Sequence, residues 1–236
     1  MVNACCYVLR TGCGWRLLPT KSLPPWQAVY MSFKRRGAAC TFETMHDRLR
    51  ERVGKAPEPP AAIIDSQHAR SMAQGGNTGF NAGKKVKGRK RNLVVDTLGL
   101  LAVTITAASV QDRDTAAPIV AQACSEVPGL EKPYADGAYD GQCALNIEQT
   151  HGLSVEVVRP PSNRSTGTWQ DAQQPLWPVQ VAKGFVVQAK RWLVERTHAW
   201  NERCRRLIDH HDRSDWSPLA WFWLAEARSL ATRLAT

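Results

Sequence analysis

Ala61-Ala62-Ile63-Ile64-Asp65-Ser66-Gln67-His68 follows directly on Pro57-Glu58-Pro59-Pro60. Three prolines in four positions cannot continue a helix, so the chain re-enters regular structure at Ala61. A short apolar run closed by a carboxylate suits a buried strand over Ala61–Asp65. Upstream the pattern is helical and basic: Cys5–Arg10, the break Gly12-Cys13-Gly14, a helix opened by Pro24-Pro25-Trp26 through about Arg35, and another over Phe42–Arg52. Proline is well placed at a first helical turn. The proline segment therefore divides a small helical module, residues 1–56, from a larger unit, residues 61–236.

Downstream, residues 71–92 are rich in glycine and lysine, lack an apolar period and read as a loop. Asn92–Asp96 and Leu101–Ala107 flank Thr97-Leu98-Gly99-Leu100, a strand–turn–strand signal. Asp112–Val127 predicts a helix, Pro133–Asp136 a strand, Gly141–His151 a helix, and Ser154–Val158 a strand ended by Pro160-Pro161. Residues 162–182 are polar and proline-containing, an irregular insertion in which Trp169 and Trp177 stand. A long helix is expected from Phe185 to about Ile208 and a last one from Ser217. Strand, hairpin, helix, strand, helix, strand and helix give an α/β mixed sheet flanked by helices. That order is compatible with the ribonuclease H-like fold.

Composition narrows the partners. The net charge is +10, with 31 Lys+Arg against 21 Asp+Glu, which favours a polyanion. Six of the eight residues Lys84–Arg91 are basic: Lys84, Lys85, Lys87, Arg89, Lys90 and Arg91. Set in a loop, they are expected to contact a DNA backbone and carry no base-reading signal. The seven cysteines include no Cys-x-x-Cys pair and no zinc-finger spacing, so buried reduced thiols are expected. No basic segment followed by an apolar core and cleavage site stands at the N-terminus, and Leu219–Ala225, the longest apolar stretch, is too short to span a bilayer. A cytoplasmic protein with no membrane partner is expected.

Three acidic residues carry the chemistry. Asp65 ends the first strand, Asp136 ends the run Tyr134-Ala135-Asp136-Gly137, and Glu195 lies in the long helix. Val186, Ala189, Leu193, Thr197, Trp200, Cys204 and Leu207 recur at three and four residues as that helix's core stripe. Glu195 points away from the stripe, with Arg191 four residues before it on the same face. Carboxylate oxygens grouped this way suit Mg²⁺ or Mn²⁺, which leave positions open for water and phosphate. His68, beside Asp65, is expected to be a hydrogen-bonded structural histidine. Asp112 and Asp114, just before a helix, are expected to be N-caps.

Several blocks together resemble bacterial insertion-sequence DDE transposases, specifically the family named for insertion sequence five. Gly12-Cys13-Gly14-Trp15-Arg16-Leu17-Leu18-Pro19 with Pro24-Pro25-Trp26-Gln27-Ala28-Val29-Tyr30 is similar to its N-terminal region. Ala62–Gln67, Gly83–Arg91 with Leu93–Leu101, Val110–Asp114, Ala135–Tyr139 and Val194–Thr197 follow in the family's order over nearly the whole chain. The resemblance implies that Asp65, Asp136 and Glu195 are the catalytic, metal-holding triad and that Arg191 is the arginine of the third block. It also implies two divalent ions, cleavage of insertion-sequence ends with strand transfer into target DNA, and a homodimer on double-stranded DNA. Arg191 and Arg196 join the basic run as expected DNA contacts. Two positions depart from the pattern: the family's tyrosine falls on Gln188, and the basic residue seven after the glutamate falls on Glu202, with Arg203 next. Family members carry several tens of residues before the block that begins here at Cys5. A shortened or frameshifted product is therefore expected, with a non-catalytic DNA-binding remnant as the alternative.

Overall fold

Ile63 and Ile64, adjacent in sequence, enter two different hydrophobic clusters, one on each face of the sheet. That explains why the opening run is continuously apolar and does not alternate. The structure is a computed structural model describing residues 1–54, 61–72, 76–158 and 191–235. The proline segment, the insertion with Trp169 and Trp177, and Val186, Gln188 and Ala189 lie outside the described residues.

Among the described residues six strands form the sheet: β1 (Ala61–Arg70), β2 (Gly79–Asn81), β3 (Val86–Val95), β4 (Leu100–Ala107), β5 (Lys132–Ala135) and β6 (Glu156–Val157). β3 pairs antiparallel with β1 on one edge and with β4 and β2 on the other. β1, β5 and β6 run parallel. Three long antiparallel strands followed by two short parallel ones, with helices on both faces, give the mixed sheet of a ribonuclease H-like fold.

One face carries α4 (Asp112–Glu126) and α5 (Gln142–His151), with Ala62, Ile64, Val94 and Ala102 packed under Ile119 and Val120. The other carries α6 (Trp192–Glu202) and α7 (Trp216–Leu234) over Ile63, Leu93, Val95 and Val103. The N-terminal helices α1 (Val2–Thr11), α2 (Trp26–Ala38) and α3 (Thr41–Val53) bury Val8, Phe33 and Phe42 in this second cluster. Phe33 stacks on Trp221 of α7 with ring centroids 3.9 Å apart, and Trp15 stacks on the same indole at 5.4 Å. The N-terminal helices thus share a core with α7.

The β3–β4 turn forms because Asp96 Oδ1 accepts from the backbone N–H of Leu98 at 2.7 Å and Gly99 at 2.9 Å. Gly99 takes a φ of +132°, which a side chain would resist. Arg50 of α3 donates to Asp96 Oδ2 at 2.5 Å and to the Leu100 carbonyl at 3.2 Å, fastening the N-terminal helices to that turn.

Three expectations need correction. The stretch 71–92 is not loop throughout: β2 lies within it, residues 82–85 form the turn that holds Lys84 and Lys85, and β3 begins at Val86, taking Lys87, Arg89, Lys90 and Arg91 into the sheet. β1 continues to Arg70, so Asp65 lies within the strand and not at its end. The long helix stops at Glu202 and is followed by a single 3₁₀ turn at Arg205–Leu207. The buried side of α6 is Leu193, Val194, Thr197 and Asn201, with Trp200 outside it.

Candidate active site

β1 pairs in parallel with β5 through Ile63 opposite Tyr134. Continuing that register two residues puts Asp65 level with Asp136. Parallel pairing stops there while β1 goes on against β3, so the chain after β5 peels away and opens a cleft. Asp65, Asp136, Ile63, Tyr134, Val194 and Arg191 line one pocket at this point. Asp136 caps a 3₁₀ turn, its Oδ1 accepting from Ala138 N at 2.9 Å.

α6 lies along β1 on the Asp65 side of the sheet. His198 Nε2 is 3.1 Å from Asp65 Oδ2, and Gln67 Nε2 donates to Glu202 Oε1 at 3.0 Å. Arg191, Glu195, His198 and Glu202 are spaced four, three and four apart and share this face. Glu195 therefore lies one turn before the residue that meets Asp65. Its side chain is 66% exposed and pairs with Arg191 Nε at 3.5 Å. Among the described residues, no three His, Cys, Asp or Glu side chains gather closely enough to hold a metal ion. Two of the three expected carboxylates share a pocket, and the third stands beside its rim through Arg191.

Below the aspartates lies Tyr139, 1% exposed, whose hydroxyl meets no hydrogen-bond partner among the described residues. Burial first, and then the carboxylates of Asp112, Asp65 and Asp136, hold its phenol well above the usual range. It remains a neutral hydroxyl next to acidic groups.

His198 and Tyr139 were not singled out by sequence reasoning. His198 carried a signal, since it is three residues after Glu195 and must share its face. Tyr139 carried none beyond its place in Ala135–Tyr139. His68 is not the expected hydrogen-bonded histidine: both ring nitrogens are buried without a partner among the described residues. Burial, then Lys84 and Lys90, lower its pKa.

The basic residues divide. Lys84, Lys85 and Lys87 are exposed on the β2–β3 hairpin. Arg89, Lys90 and Arg91 are 1%, 1% and 2% exposed, which corrects their expected contact with DNA. Lys90 Nζ pairs with Asp112 Oδ1 at 2.7 Å. Asp112 is accordingly an ion-pair partner and not an N-cap; the α4 cap is Gln111. Burial opposes ionisation of Asp112, but hydrogen bonds from Lys90 and Ser66 outweigh it and set its pKa below the usual range. Arg91 donates to Gln67 Oε1 at 3.1 Å and to the Leu207 carbonyl, and lies 5.7 Å from the centre of the Phe222 ring. Arg196 donates to the Thr97 carbonyl at 2.8 Å and stacks on Trp192 and Trp200, so its guanidinium is directed to the hairpin turn and away from the cleft. Arg191 remains at the pocket.

No helix of the described residues is long and apolar enough to cross a membrane. No curated protein matches the chain. Family models do match: that of IS4/5-family transposases over residues 1–46, and that of the Transposase DDE domain over residues 56–229, the stretch that holds β1, β5 and α6. With most of its length inside that second match, this chain belongs to the DDE-domain transposases.

Proposed function

We propose that this transposase cleaves the ends of an insertion sequence and joins them to target DNA with two Mg²⁺ or Mn²⁺ ions, acting as a homodimer on double-stranded DNA in the cytoplasm. The observation that carries the reading is the level placement of Asp65 and Asp136 in one pocket, with the Glu195 face of α6 alongside.

The donor set fits such ions in its chemistry, because Asp65, Asp136 and Glu195 offer hard oxygen and no sulfur. When bound, the ions would supply charge to activate an attacking oxygen and stabilise a departing one. In cleavage, a water oxygen bonds to phosphorus, the P–O bond to the 3′ oxygen breaks, and that oxygen leaves as a 3′-hydroxyl. In joining, that 3′-hydroxyl attacks a target phosphodiester in the same way. Arg191 faces the pocket and suits a phosphate oxygen there. His198 is a positioning residue: its hydrogen bond fixes one oxygen of Asp65 and leaves the other available to an ion. Tyr139 supplies a buried, neutral donor beside the two aspartates.

The test is nicking and strand transfer on duplex DNA in Mg²⁺, Mn²⁺ or Ca²⁺. Asp136→Asn is expected to lower cleavage by at least about 10³-fold and leave DNA binding within about twofold. His198→Ala is expected to lower cleavage roughly 10–100-fold, with partial recovery in His198→Gln. Folded protein that binds DNA in Ca²⁺ yet nicks none of it in Mg²⁺ or Mn²⁺ is a DNA-binding remnant and not an enzyme.

A further inference from the structure

The end of α1, the C-terminal end of α6 with the residues just after it, and the C-terminal half of α7 line a groove of about 290 Å³. Arg10, Arg203, Arg228 and Arg233 line it, and Glu226 is the one carboxylate among its described lining residues. Glu226 is 3% exposed and accepts from Asn201 Nδ2 at 2.6 Å, so it belongs to the floor. Arg10 and Arg203 are exposed, and Arg228 is half-buried.

The arginines converge from three helices, which no single basic helix face would produce. Trp200, also in the lining, carries the Arg233 guanidinium at 4.3 Å from its ring centre and that of Arg196 at 4.6 Å. Arg233 is further held by the Leu98 carbonyl at 3.0 Å. Two guanidinium groups are thus kept on one indole, with the buried Glu226 near both. Burial first, and then Arg233, lower the pKa of Arg196, as expected where positive charge is concentrated. Trp192, Arg196, Trp200 and Arg203 are spaced four, four and three apart, on a different face of α6 from Glu195 and His198.

We infer that this arginine groove binds the phosphodiester backbone of duplex DNA away from the cleavage cleft, with α6 presenting one face to each. The inference rests on the proposed action on DNA and adds where the duplex is held. Guanidinium groups suit the role because their planar forks take two phosphate oxygens at once. The exposed lysines of the β2–β3 hairpin are separate point charges on another part of the molecule.

The experiment measures duplex DNA affinity of the full chain in Ca²⁺ across a salt series, for wild type, the triple variant Arg10→Gln/Arg203→Gln/Arg228→Gln, and the same three positions changed to Lys. Arg233 is left intact because it also supports the hairpin turn. The Gln variant is expected to lose about two to three from the slope of log affinity against log salt, roughly 0.9 per phosphate, and the Lys variant to regain most of it. If the Gln triple has no cooperative thermal transition, Arg10→Gln and Arg228→Gln alone should each lose about one. A folded Gln triple, or folded single variants in its place, with the wild-type slope overturns the groove and leaves the enzymatic reading standing. The same slope together with lost binding to polyglutamate would make the groove a site for acidic protein. Wild type that binds no duplex DNA overturns both readings.

Discussion

Lys84, Lys85 and Lys87 stand in water, whereas Arg89, Lys90 and Arg91, only two residues further on, are all but sealed inside the protein. The two triplets carry the same formal charge. Gly88 divides them: a Cβ there would come within 2.1 Å of the Ala69 carbonyl oxygen, so only a glycine lets β3 close against β1 at this point. Beyond it every cation has a partner. Arg89 donates to the carbonyls of Asn77, Asp212, Arg213 and Ser214 and pairs with Asp215 at 3.0 Å. Lys90 holds Asp112 and the Val110 carbonyl, and Arg91 holds Gln67 and Leu207. The divide falls at Gly88 and not at the edge of the sheet, since Lys87 already lies in β3, paired with Phe80, and is exposed. Past Gly88 the charges satisfy the carbonyls of a segment with little regular structure of its own.

The contrast is sharpest in stability. Arg91→Ala is expected to cost about 3–5 kcal/mol in urea unfolding, because it strands the Leu207 carbonyl and one end of Gln67 in a buried place. A cost below about 1 kcal/mol would mean that water replaces the guanidinium and that the buried triplet is dispensable.

Acid should reveal the same buried charge. His210 is 4% exposed, and burial, followed by Arg91, Arg89 and His211, lowers its pKa from 6.5 to about 3. The folded form therefore binds its proton less readily than the unfolded chain. Its contribution is present above pH 6.5 and is lost as pH falls from there towards 3, by about 3 kcal/mol at pH 4.5. His210→Leu should flatten that part of the stability profile relative to wild type, and an unchanged slope would remove His210 from the account.

Moving the divider is the next smaller change. Gly88→Ala should destabilise by about 1–3 kcal/mol as β1 and β3 shift apart. Melting at the wild-type temperature would show that the close approach is not required. At the other extreme, changing Lys84, Lys85 and Lys87 together to Ala should alter stability by no more than about 0.5 kcal/mol per site. Any effect should appear instead in the salt dependence of DNA binding. Measurable unfolding from this triple change would erase the contrast.

What was legible in the sequence follows the range of the forces involved. The hairpin turn could be read because Asp96, Leu98 and Gly99 satisfy one another within four residues. α4 and β5 could be read from apolar runs with clear ends. The burial of Arg89 could not, since its carbonyl partners at 212–214 lie more than a hundred residues away and local charge density argued for solvent. The strand context of Asp65 and Asp136 could be read, but β1 runs past Asp65 because pairing with β3 outlasts pairing with β5. The hydrogen bond from His198 to Asp65 depends on how α6 lies across β1, which helical spacing alone does not fix.

The parallel pairing of β1 with β5 also bears on when the site comes into being. The β3–β4 hairpin closes between neighbours in the chain, while β5 reaches β1 only after that hairpin and α4 have been laid down between them. Contacts of such long sequence separation are the slow ones in folding, since the loop must close before the pairing rewards it. Asp65 and Asp136 come level only at that step. A nascent or stalled chain can thus hold a finished β3–β4 hairpin before Asp65 and Asp136 share a cleft.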